Sequence, residues 1–457
     1  MRHIGPVGGL LLLGLTTVAW AGAPLEEEWR EISIGGTKAY VIPPQVVRSL
    51  GLQHEEIPPE DNAATYYLRA IEAVPPLARG LDPAYDAALS QPWERQRWPE
   101  FYAWFERTAE ARQLLREAAR RERCQFPLLT QRPGETLLMA FLLPHLAHMR
   151  SLARLLIIEG HLREAEDKPQ EALQCYLLTY PLGRHAASDP MLIAGLVGLA
   201  VQKMGNQAIR SCLSRHELSE DTLARLNLAL VEAEKCLPDR RRWIVGERAM
   251  GMQVAEPVIL PQMGRITQMT GGAAADVDLS FADAFVTSRA FRILWPDRTI
   301  RSDLEGFYRN LDALAQKTTW ELASALRQEE GKGLIANSIR DWNLIARMVL
   351  PSVHRAHLQY IHGATLHAAL RQIVALQRYR LRHRRFPDEL TQLVPDFLPQ
   401  LPPDPYSGEA FKYRHENDGW LLYSVGQDLR DDGGVHEERG GGGGDIIFRS
   451  APREAKP

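Results

Sequence analysis

The sequence predicts a mainly α-helical protein. A multi-helix body of helical hairpins is followed by a small C-terminal α+β module, a long helix laid on a short antiparallel sheet. Three observations carry this prediction. Apolar residues recur at intervals of three and four from Asp61 to about Arg385. Glycine and proline are confined mainly to the joints between those segments. Beyond the pair Phe386 and Pro387 the composition changes to proline-rich stretches and two apolar runs, AFKYRH and GWLLYSV, joined by Glu416, Asn417, Asp418 and Gly419.

A chain of 457 residues is long for a single core. The patterning divides it into a signal peptide (1–23), an N-terminal hairpin and linker (24–60), a helical domain (61–352), the long helix with its C-terminal module (353–448) and a disordered tail (449–457). A hydrophobic content of 45% with 24% charged residues is that of an ordinary globular protein, and a net charge of −3 gives no nucleic-acid signature. The basic clusters at 240–242 and 378–385 read as solvated helix faces, because acids elsewhere balance them.

Each element follows in order. Residues 1–23 combine a short basic start, an apolar stretch over 4–20 and small residues at Ala19, Ala21 and Ala23, which fit A-x-A cleavage before Glu26, Glu27 and Glu28. This predicts export to the periplasm or outside the cell. An uncleaved anchor is the alternative, since about 20 residues just span a bilayer; no second spanning segment follows. The stretch WREISIGGTKAYVIPP predicts a hairpin, with alternating Ile32 and Ile34, a turn at Gly35 and Gly36, and a proline stop.

Helices then begin after Asp61 or Asn62, either of which suits an N-cap. Helical periodicity runs through the segment from Trp93, through 135–160, 169–180 and 190–213, and through SEDTLARLNLALVEAEKC, where Ser219 stands at a capping position with Thr222 near it. The piece LARLLIIEGHLREAEDKPQEALQCYLLTY resembles a tetratricopeptide unit, with Ala172 and Tyr176 at packing positions. The pattern does not repeat roughly thirty-odd residues to either side, so an ordinary helical hairpin is the reading. Residues 256–284 break the rhythm with Gly271, Gly272 and three acids, and predict a long loop. Helical pattern resumes and ends in one long helix over 353–384.

The C-terminal order is a long helix, RRFPDELTQLVPDFL, PPDPYSGEAFKY, WLLYSVGQD, DDGG and DI. It resembles the globular part of the major pseudopilin of type II secretion systems, in which a helix, a G-x-Y-P element, an aspartate-proline-aromatic step, an LYSLGAD strand end, a glycine-rich acidic loop and a terminal DI occur in that order. The resemblance covers residues 360–448, under a fifth of the chain. It implies a long helix packed on a small sheet and a calcium ion in the loop. Carried over by motif, Asp428 and Asp445 would be ligands, Asp431 and Asp432 lie where a further carboxylate could reach, and the carbonyls of Ser424 and Val425 are further donors. Calcium takes six to eight oxygen ligands at about 2.3–2.6 Å, which carboxylates and carbonyls on a turning backbone supply. The chain departs from the family in two ways. It has no prepilin peptidase site, so assembly into a pseudopilus by the usual route is not expected. Leu429 stands where a glycine commonly follows the first aspartate, and the loop before Asp445 is longer.

No catalytic constellation emerges from the sequence. His145 with His148, and His354 with His357, stand three apart as metal pairs do, yet no H-E-x-x-H pattern or nearby carboxylate completes either, and structural histidines are the reading. Asp276, Asp278 and Asp283 give a weak cation or glycosidase-like signal on a loop. G-x-S-x-G and phosphate-loop motifs do not occur. Trp93, Trp98 and Trp104 read as helical core. Cys124, Cys175, Cys212 and Cys236 either form two disulfides or serve as small buried residues. The expectation is an exported, non-enzymatic structural or interaction protein with an unidentified protein partner. The alternatives are a secreted enzyme with a site near 256–284, and a component of the secretion machinery.

Overall fold

Gly35 and Gly36 both take positive φ, 55° and 84°, which lets two residues reverse the chain between strands β1 (Arg30–Ile34) and β2 (Thr37–Val41). Ile34 pairs with Thr37 and Arg30 with Val41, the hairpin register that the sequence predicts. A third strand, β3 (Leu129–Thr130), adds to β2 in antiparallel fashion. Its two residues carry no periodicity, so the sequence did not reveal it.

A computed structural model describes residues 29–254, 297–332, 344–416, 419–435 and 444–450. The signal segment, the 256–284 loop with Asp276, Asp278 and Asp283, the turn residues Asn417 and Asp418, most of the polyglycine run and the chain beyond Ser450 lie outside the described residues.

Among the described residues the helices are α1 (Pro44–Ser49), α2 (Ala63–Ala73), α3 (Asp82–Ser90), α4 (Pro99–Arg107), α5 (Ala109–Ala119), α6 (Pro144–Ala165), α7 (Pro169–Leu177), α8 (Thr179–Ala186), α9 (Leu192–Arg215), α10 (Glu220–Glu234), α11 (Arg240–Val254), α12 (Asp297–Ala315), α13 (Thr319–Lys332) and α14 (Leu344–His383). Their starts follow local chemistry. Asn62 Oδ1 accepts the Ala64 N–H at 3.1 Å and caps α2, while its amide donates to Gln125 O and so ties the helix start to a distant segment. Ser219 Oγ accepts the Thr222 N–H at 3.2 Å and caps α10. Pro99, Pro144 and Pro169 lead α4, α6 and α7, where a missing N–H costs nothing.

Those prolines also correct two expectations. The helix anticipated from Trp93 begins only at Pro99; Trp93 precedes it, buried in a loop with its indole N–H donating to Ile158 O at 2.9 Å. The helix anticipated from 135 begins at Pro144, because the preceding chain bends through a 3-10 turn and bridges to Leu129. The α6–α7 hairpin is as expected, with Ala172 and Tyr176 fully buried in it.

The second sheet follows the predicted plan. β4 (Lys412–Glu416), β5 (Gly419–Ser424) and β6 (Ile446–Arg449) form an antiparallel sheet in the order β4-β5-β6. The short helix expected after Pro387 is a 3-10 turn at Leu390–Leu393. Residue 449, placed in the tail by the sequence, belongs to β6, and the Ser450 N–H still bonds to Trp420 O. The long helix starts earlier than residue 353 and stops at Arg384, whose φ of 61° turns the chain out of the helix.

α14 runs between two cores. Val353, Ala356 and Ile361 join Trp243, Phe307, Tyr308 and Leu322 in one. Further along, Leu370, Ile373, Leu376 and Tyr379 join Tyr176, Ile209 and Leu230 of the hairpin body together with Phe397, Trp420, Leu422 and Phe448 of the C-terminal sheet. The sheet therefore buries its apolar face in a core shared with α7, α9 and α10.

The basic runs form solvated faces only in part: Arg241, Arg242, Arg382, Arg384 and Arg385 are exposed, as the sequence predicts, whereas Arg240, Arg378 and Arg380 are buried or half-buried. Arg378 is only 12% exposed, donates through Nε and Nη2 to Glu220 at 3.0 and 2.8 Å, and lies over the Phe397 ring. Arg371 reaches Glu234 and Arg380 reaches Glu217, so α14 runs antiparallel to α10 along a line of ion pairs. Arg380 and Arg382 cover Phe386 and Phe397, and Arg240 is buried over Tyr360. Planar guanidinium groups stack on aromatic rings and bury their stems, which residue counts do not reveal. Among the described residues no helix is long and apolar enough to cross a membrane.

Candidate functional site

The loop between β5 and β6 starts from a buried carboxylate that the sequence reading did not single out. Asp404, in the turn DPYSG, accepts the Ser424 hydroxyl at 2.8 Å and the Tyr406 N–H at 3.0 Å on Oδ1. Its Oδ2 accepts the Val425 N–H at 3.2 Å and the Ser407 hydroxyl at 3.4 Å. Burial pushes its pKa above the usual carboxylate range, and these donors work in the opposite direction. Asp404 thus binds the turn to the end of β5 just where the loop departs. The signal available in the sequence was an aspartate preceding a proline in a turn, a residue type that hydrogen-bonds backbone two positions on.

From Val425 the backbone turns repeatedly. Gly426, Gly433, Gly434 and Gly444 have positive φ, and so has Leu429, at 56°. Leu429 occupies the left-handed conformation that glycine adopts at no steric cost, and its side chain packs against the core around Trp243. A Cβ on Gly426 would lie 2.1 Å from Gly444 O, so the two ends of the loop close on each other only with glycine there.

The predicted ligands fall into separate groups. Asp445 is fully buried; its Oδ2 accepts the Gly434 N–H at 2.7 Å, and the Asp432 N–H also bonds to its carboxylate. Burial raises the Asp445 pKa, the two backbone donors lower it, and the charges of Asp431 and Asp432 raise it further. Asp431 Oδ1 accepts the Tyr423 hydroxyl at 2.9 Å and the Gly433 N–H at 3.0 Å. Burial and that bond push the Tyr423 pKa up to about 12. Asp428 instead accepts the Arg430 N–H at 3.1 Å in a local turn of its own. The Ser424 hydroxyl and the Val425 N–H are directed to Asp404. The charges of Asp431 and Asp432 act on Asp445, while the hydrogen bond of Asp428 is made within its own turn. Oxygen donors on a backbone with several positive-φ turns match calcium in donor type.

Among the described residues, the group in which three ligand-type atoms come within 4.8 Å of one another lies elsewhere, at Glu164, Cys212 and His216. Three histidines of the two pairs make contacts within the fold. His145 Nε2 lies 2.8 Å from Asp189 Oδ2, with the ring stacked on Phe126. His148 sits against the Gly35 turn, and His357 Nδ1 lies 2.9 Å from Val353 O. All four cysteines are free thiols; Cys124, Cys175 and Cys212 are buried, as the small-buried-residue reading has it, and Cys236 is half-buried. Comparison with family models, with curated proteins and with solved structures finds no match to this chain.

Proposed function

We propose that this chain is an exported, non-enzymatic structural or protein-interaction protein whose C-terminal module, similar to the globular part of the type II secretion major pseudopilin, is closed by a structural calcium ion. One observation supports the reading above the rest. Asp445 is wholly buried with the charges of Asp431 and Asp432 beside it, at the point where the ends of a loop built on left-handed turns meet. Like charges next to a buried carboxylate are costly, and a divalent cation removes that cost. Asp445, Asp431 and Asp432 would hold the ion, with Asp428 and the carbonyls of Ser424 and Val425 as further donors. Its role would be to fasten the loop to the sheet.

The test is thermal unfolding of the purified protein in excess Ca²⁺ and in chelator, beside Asp445→Ala and Asp428→Ala. Binding to the native state alone stabilises by about 2.7 kcal/mol at a hundredfold excess over Kd. A calcium-dependent rise in Tm that Asp445→Ala abolishes supports the reading. Equal midpoints in calcium and chelator overturn it. A rise that Asp428→Ala leaves intact would confine the ligands to Asp431, Asp432 and Asp445.

A further inference from the structure

We infer that Glu164, Cys212 and His216 form a site for a thiophilic divalent metal, zinc above all, at the junction of α6, α7 and α9. The elements converge in a simple way. Glu164 is in the last turn of α6, Cys212 is in the last turn of α9, and His216 follows as that helix's C-terminal cap. The C-x-x-x-H spacing brings the thiol and the imidazole to one side of the helix end. Glu164 Oε2 lies 3.0 Å from His216 Nε2, and one ligand atom from each of the three residues falls within 4.8 Å of the others. Tetrahedral zinc with bonds of about 2.0–2.3 Å sets its ligand atoms roughly 3.3–3.5 Å apart, so only a small contraction around Cys212 is needed.

The neighbours fit the part of outer partners. Glu164 Oε1 accepts the Tyr176 hydroxyl at 2.5 Å and Arg215 Nη2 at 2.8 Å, which orients the carboxylate with Oε2 toward the histidine. Arg215 Nε also reaches Oε2, at 2.9 Å, and this one bond would give way to the metal. Hydrogen bonds to the oxygen that does not bind the metal are what ligating carboxylates normally have. An Arg215–Glu164 ion pair alone would not require a thiol, yet Cys212 is wholly buried with its sulfur turned to the carboxylate. Sulfur, nitrogen and one carboxylate oxygen suit zinc and not calcium. His216 is 21% exposed and gives the ion a way in. On binding, the metal takes the place of the Cys212 thiol proton, which passes to solvent. Three protein ligands leave a fourth position for water or an added ligand.

The experiment is titration of the metal-free, reduced protein with Co²⁺, a spectroscopic substitute for zinc. The expected result is a thiolate-to-cobalt charge-transfer band that saturates at one equivalent, disappears on adding Zn²⁺, and comes with release of one proton. Cys212→Ser should abolish the band and Cys236→Ser should preserve it, with circular dichroism showing both folded. His216→Gln, at the partly exposed position, should weaken affinity about 10- to 100-fold. Asp445→Ala should leave the band unchanged, which separates this site from the calcium loop. No band at one equivalent with the unaltered protein, or a band that follows Cys236, overturns the inference and leaves the cluster an ion-pair network.

Discussion

The Ser424 hydroxyl donates to Asp404 Oδ1 at 2.8 Å, so the end of β5 and the DPYSG turn are held by one buried carboxylate. Removing that carboxylate leaves buried donors on Ser424, Val425 and Tyr406 without their acceptor. Each such loss costs about 1–3 kcal/mol. Asp404→Ala should therefore destabilise the protein by about 3 kcal/mol in urea unfolding, and Ser424→Ala by about 1 kcal/mol. Equal effects of the two substitutions would mean that Asp404 does not gather the turn.

A second close approach joins α6 to α7. A Cβ on Gly160 would lie 2.1 Å from the Tyr176 ring, whose hydroxyl is bound to Glu164 and so cannot withdraw. Gly160→Ala should cost about 1–3 kcal/mol by overpacking, despite the better helix propensity of alanine. In a Tyr176→Leu background the penalty should shrink. Chemical denaturation of the four proteins of this cycle measures the coupling.

Stability should fall as the solution is acidified from neutrality. Burial pushes His185 down to about 3, and His357 and His367 each down to about 4. Below the ordinary histidine pKa of about 6.5 the unfolded chain takes up protons that the native protein does not. Each residue thus adds a slope of up to about 1.4 kcal/mol per pH unit, with stability lost as the pH falls from about 6.5 toward 4. His185→Gln should reduce the slope by close to one proton. Urea unfolding at about pH 7 and about pH 5 tests this, and equal stability at the two would contradict it.

Cysteine accessibility should separate one residue from three. Cys124, Cys175 and Cys212 are buried and Cys236 is partly exposed, all as free thiols. A thiol reagent added to the native protein should modify one residue quickly, and Cys236→Ser should remove that fast phase. In denaturant without reductant all four should react. Fewer than four would reveal a disulfide.

Several features could be read from neighbouring residues alone. The paired glycines at 35 and 36, the caps at Asn62 and Ser219, and the two short runs of β4 and β5 around their turn each depend on chemistry within a few positions. Boundaries were less readable where a proline at the first helical position set the start. Periodicity continues on both sides of Pro99 and Pro144, although the helices begin only there. Of the loop site, the residue types and their turning backbone were legible. The local turn that engages Asp428, and the part taken by Asp404, were not.

Local propensity and apolar spacing, both properties of short stretches, established that this chain is helical with a small terminal sheet and where its loops carry acids. Folding alone paired residues far apart in the chain. It placed Glu164 against Cys212 and His216, packed Phe448 with Tyr176 in a shared core, and drew Arg378 out of solvent onto Glu220 and Phe397. Such contacts follow from how whole elements bury their apolar faces against one another, and no window of sequence contains both partners.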